Sequence, residues 1–105
     1  MSKRFMRVLA EREIKRMLIR KARDAGVSPG EIADWLYYEA GIRAQPAWSD
    51  IEKKILRADV DPQSLASFLI DQGVEIDEDE WLKILDKYSG LEEPRFLLRR
   101  GERSK

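Results

Sequence analysis

Helix starts and glycine stops recur along this chain so closely that, after the first helix, no element can run much beyond three turns. Ser28 followed by Pro29 opens one helix and Gly41 closes it; Asp61 followed by Pro62 opens another and Gly73 closes it; Asp77 opens a third that runs to Gly90. An oxygen-bearing side chain before the first turn accepts a backbone N–H, and proline at the first helical position sacrifices no hydrogen bond. Glycine then supplies the left-handed conformation that ends a helix. Acids three residues after the caps, Glu31 after Ser28 and Glu80 after Asp77, predict capping boxes. Val27 with Ile32, Val60 with Leu65 and Ile76 with Trp81 predict hydrophobic staples. A long first helix, about residues 3 to 24, precedes them.

The expectation is an all-α protein of about five short helices packed orthogonally. Its 105 residues suit one core, with residues 1–90 as a single helical domain and 91–105 as a basic tail, partly docked or disordered.

Residue types missing from the chain narrow the chemistry. It has no cysteine and no histidine, which removes disulfide scaffolds, thiolate metal sites, the commonest general base and the commonest metal ligand. No catalytic residue, metal, cofactor or small-molecule substrate is expected. A calcium loop built on Gly73 would need oxygen donors where Phe68 and Ile70 stand. Gly26 and Gly30 lack the lysine–serine pair of a phosphate loop. No apolar run approaches a membrane span and the start lacks a signal-peptide pattern, so no membrane partner is expected and a cytoplasmic or intravirion location is.

Residues 26–57, GVSPGEIADWLYYEAGIRAQPAWSDIEKKILR, carry the one local pattern that suggests an activity. A capped helix ends at Gly41, a connector of roughly eight residues follows, and Ser49 with Glu52 predicts a second capped helix bearing Ile51, Ile55 and Leu56. This is the layout of a helix-turn-helix with a long connector. The order EIADWL, AGI, WS and then Ile51, Ile55 and Leu56 resembles the DNA-binding region that follows the catalytic domain of large serine recombinases. The resemblance covers about a third of the chain and implies a groove-binding mode for the helix from Asp50 to Arg57. With only 25 residues ahead of it, no catalytic serine domain is expected. Asp50 and Glu52 depart from the pattern, since carboxylates near the start of a recognition helix repel phosphate.

Zero net charge conceals a division. Residues 1–30 hold nine lysines and arginines against three acids, residues 31–93 six against sixteen, and residues 94–105 five against one. In the first helix Ala10, Ile14, Met17, Leu18 and Ala25 gather on one side at 100° per residue, while Arg12, Arg16, Arg20 and Arg23 line the other. Phe5, Val8 and Leu9 fall on the arginine side and require a cover. In the tail, Phe96, Leu97 and Leu98 form an apolar run between basic residues and are expected to dock, in the same chain or on another subunit.

Two functions follow from these features. One is a small non-enzymatic DNA-binding protein gripping double-stranded DNA with Arg43, Lys53, Lys54, Arg57 and the helix-one arginines Arg12, Arg16, Arg20 and Arg23. The other is a protein-interaction or assembly subunit, such as a viral or phage accessory or inhibitor protein or a homo-oligomer, that uses Phe5, Val8, Leu9 and Phe96, Leu97 and Leu98. Tyr37 and Tyr38, adjacent on a helix, point about 100° apart, so at least one is exposed and able to stack on a base.

Overall fold

The computed structural model describes residues 3–88. They form five helices, α1 (Lys3–Asp24), α2 (Pro29–Ala40), α3 (Trp48–Arg57), α4 (Pro62–Asp71) and α5 (Glu78–Lys87), with no strand among the described residues. The tail residues Phe96, Leu97 and Leu98 lie outside them.

Local rules account for most of the boundaries. Ser28, Asp61 and Asp77 each accept a backbone N–H two residues on, from Gly30 at 3.2 Å, Gln63 at 3.2 Å and Asp79 at 2.9 Å. The expected Ser28 bond to the Glu31 N–H gives way to this shorter-range cap, and the Glu31 amide bonds to the Ser28 carbonyl instead. Gly26, Gly41 and Gly73 take φ of 84°, 66° and 90°, the left-handed conformation that a helix stop demands.

Helix α3 starts earlier than its sequence suggests. Its N-cap is Ala47, which makes no side-chain cap, and Ser49 lies inside the first turn. Asp50 of the first turn instead reaches back: its Oδ2 accepts the Gln45 N–H at 2.7 Å and so ties the connector to the helix start.

The core draws on every helix, with Leu18, Ile32, Leu36, Ile51, Ile55, Leu65 and Leu69 essentially inaccessible to solvent. Helix α1 packs against α3, α4 and α5, and α2 against α3. Trp35 of α2 stacks on Phe68 of α4, with ring centroids 5.3 Å apart. On α1 the buried side includes Ala10, Ile14, Met17 and Leu18 as expected, and also Lys15, Ile19 and Ala22. Ala25 is exposed, because the helix ends at Asp24 and Ala25 belongs to the turn.

Lys15 is the one buried charged side chain among the described residues, at 4% exposure. Its Nζ donates to the Ile55 and Ala58 carbonyls, each at 3.3 Å. Helix α3 has no glycine stop: Ala58 follows it in an extended conformation, and its N–H reaches only the Lys54 carbonyl. A helix end leaves its last carbonyls unpaired and partly negative, so a buried ammonium supplies both hydrogen bonds and charge there. Burial, the largest influence, pushes the Lys15 pKa down, against the opposing pull of Glu11, Asp59 and Asp61.

Lys15→Met keeps the apolar stem and removes the donors. It is expected to cost about 1–3 kcal/mol, the penalty of leaving a buried acceptor unsatisfied, read as a lower urea midpoint. Unchanged or raised stability would show that α3 ends without this lysine.

Candidate nucleic-acid interface

The residues that could meet a polyanion are best located from α3 outward. At 100° per residue, Lys53 and Arg57 lie one turn apart on the side away from the buried Ile51 and Ile55, and both are exposed. Glu52 projects about 100° from Lys53 and is half-buried, so it leaves this face.

Asp50 shares the face but is occupied. Besides the Gln45 N–H, its carboxylate lies 3.6 Å from Lys54 Nζ. The Gln45 N–H first, with Lys54 beyond it, holds the Asp50 carboxyl below the usual range even though partial burial opposes this. Lys54 is engaged in turn, donating to the Arg43 carbonyl at 3.1 Å. It therefore stitches connector to helix rather than reaching outward. Arg43, fixed by that bond, carries its guanidinium 6.0 Å from the centre of the Tyr37 ring, a cation–π contact. Tyr38 meets Tyr37 edge-on at 5.3 Å and is 81% exposed. Stacking on Tyr38 would bring phosphates over α2, whose charged residues Glu31, Asp34 and Glu39 are all acidic.

The helix-one arginines divide between two grooves. Arg12 and Arg57 border a concavity of about 380 Å³ above Lys15, together with Val8, Leu56 and the acids Glu11 and Asp59. Arg16 and Arg20 border another of about 410 Å³ between α1 and α5, with Lys83 and the acids Glu13 and Glu80. Arg20 lies 3.6 Å from Glu80, which also pairs with Lys21. Glu80 thus serves α1 rather than closing the expected capping box with Asp77. Arg23 is exposed in the last turn of α1. The structure therefore gathers Arg12, Arg43, Lys53, Lys54 and Arg57 around α3, and sets Arg16 and Arg20 beside α5.

On the other expected surface, Phe5 and Val8 are 50% and 48% exposed and Leu9 is half-buried. Among the described residues no group of three acidic side chains lies together as a metal site. No described helix is long and apolar enough to cross a membrane.

Two features escaped the sequence patterns. Lys15 falls inside the apolar arc of α1, between the directions of Leu18 and Ile19, and that position was its only local signal. Glu13 accepts from Lys87 Nζ at 3.0 and 3.1 Å and from the Tyr88 hydroxyl at 3.0 Å, joining α1 to the end of α5. No short-range pattern links residues 74 and 75 positions apart. Compared with family models, curated proteins and solved structures, the chain matches none.

The Lys87 hydrogen bond, ahead of the opposing effect of burial, lowers the Glu13 pKa from its ordinary 4.5. A carboxylate with a depressed folded-state pKa contributes stability that is present above the unfolded value and lost as pH falls through the folded one. Acid titration should therefore weaken the protein below about pH 4.5, and Glu13→Gln should flatten that slope when thermal midpoints are compared between pH 7 and pH 3. An identical slope in both proteins would remove Glu13 from the account.

Proposed function

We propose that the chain is a small non-enzymatic DNA-binding protein of helix-turn-helix type. It lays the Lys53 and Arg57 face of α3 along the major groove of double-stranded DNA, with Arg43 and Arg12 on flanking phosphates. The observation that carries this reading is the engagement of Asp50. The carboxylate most damaging to a groove-binding helix is held by the Gln45 N–H and by Lys54, while Glu52 leaves the face. The likeness of residues 26–57 to the recombinase DNA-binding region supports the same mode. Glu11 and Asp59 beside Arg12 and Arg57 weaken the field at that edge. A narrow contact centred on α3 is thus favoured over a broad arginine-lined one.

Counterion release makes the reading measurable. Four phosphate contacts predict a log–log dependence of affinity on salt with slope about −3.6, and removing one cation should shallow it by about 0.9. In anisotropy titrations with duplex DNA, Lys53→Ala and Arg57→Ala should each do so, whereas Arg20→Ala, already facing Glu80, should change it less. No binding to duplex at 50 mM salt would overturn the proposal.

A second reading, an assembly or protein-interaction subunit, is favoured by the half-exposed Phe5 and Val8. Two such apolar side chains on one helix face suit a protein partner or a second copy. A defined oligomer by sedimentation, dispersed by Val8→Glu, would support it, and a monomer at every concentration would count against self-assembly.

A further inference from the structure

Two surfaces of opposite charge lie on different parts of this fold. The open groove between α1 and α5, about 410 Å³, is lined by the apolar Met17 and Ile84 and by the cations Arg16, Arg20 and Lys83. Its two acids are already engaged: Glu13 accepts from Lys87 and Tyr88, and Glu80 pairs with Lys21 and Arg20. Arg16 and Lys83 are exposed and form no ion pair among the described residues. The groove therefore presents positive charge beside an apolar lining.

The opposite sign belongs to α2. No lysine or arginine stands between Arg23 and Arg43, the stretch that contains this helix. Glu31, Asp34 and Tyr38 fall at i, i+3 and i+7 and so share one exposed face. Neither acid forms an ion pair among the described residues. Tyr38, at 81% exposure, is the type of aromatic side chain in which interfaces are enriched. Helix α2 packs on α3, whereas α5 packs on α1, so the two surfaces meet only between molecules.

We propose that a second copy of this chain docks the Glu31, Asp34 and Tyr38 face of its α2 in the α1–α5 groove. The two carboxylates meet Arg16 and Lys83, and the Tyr38 ring lies against Ile84 and Arg20. The same sequence carries both halves of the contact, and their complementary charge is what selects a second copy. Exposed ion pairs contribute little each; burial of Tyr38 supplies attraction, and the charges fix orientation. Because the two surfaces differ, the contact is head-to-tail and each copy keeps one of them open, which builds rings or chains. The proposal depends neither on DNA binding nor on Phe5 and Val8, which lie outside this groove.

A charge swap tests it in the full-length protein by sedimentation equilibrium. The average mass should rise with concentration at low salt and fall back toward the monomer when ionic strength is raised to about 0.5 M, where surface charges are screened. Arg16→Glu with Lys83→Glu, and separately Glu31→Lys with Asp34→Lys, should each weaken self-association by about tenfold or more, with Val8→Glu leaving it unchanged. An equimolar mixture of the two double variants should associate again, because each reversed surface then faces its complement; a variant that merely misfolded would not be rescued. A monomer at every concentration in low salt, wild-type association in either double variant, or a mixture that stays monomeric would each overturn the proposal.

Discussion

The contact from Lys15 to the end of α3 closes the one helix that has no glycine stop before α4. Its two carbonyl acceptors, on Ile55 and Ala58, belong to the one inter-helix junction before α5 that lacks a glycine. Helices α1, α2 and α4 stop by the backbone freedom of Gly26, Gly41 and Gly73; α3 stops on a side chain delivered from α1. The orientation of α3 thus rests on the burial of Ile51 and Ile55 and on this tertiary bond at its end. Its exposed Lys53 and Arg57 take their direction from lying opposite that buried face.

Five acids act within the fold. Asp61 and Asp77 cap helices, Asp50 secures the connector, Glu80 holds Arg20 and Lys21, and Glu13 holds α5 against α1. The same accounting reduces the candidate interface. Lys54 and Arg20 are engaged by acids, while Lys53 and Arg57 carry no acid partner in the ion pairs above.

What the chain discloses before folding depends on range. Caps act over two residues and glycine stops over one turn, so the openings at Pro29, Pro62 and Glu78 and the stops at Gly41 and Gly73 were legible. The start of α3 was not, because a serine at the expected cap position competed with Asp50, whose reach back to Gln45 is a loop bond with no helical spacing. Lys15 and Glu13 were not legible either, since their partners lie 40 to 75 residues away. For the candidate interface, the list of cations could be read from the sequence. Their division into two grooves could not, because it depends on which flank of α1 receives α3 and which receives α5.

The proposed binding face is that of α3, whose end is tied by Lys15. Amide chemical-shift mapping of the labelled protein during titration with a short DNA duplex tests it most directly. The account predicts perturbations concentrated at Arg12, Arg43, Lys53 and Arg57, with Glu31, Asp34 and Tyr38 of α2 unaffected. Perturbations centred on α2 or on Phe5 and Val8, or none at all, would contradict it.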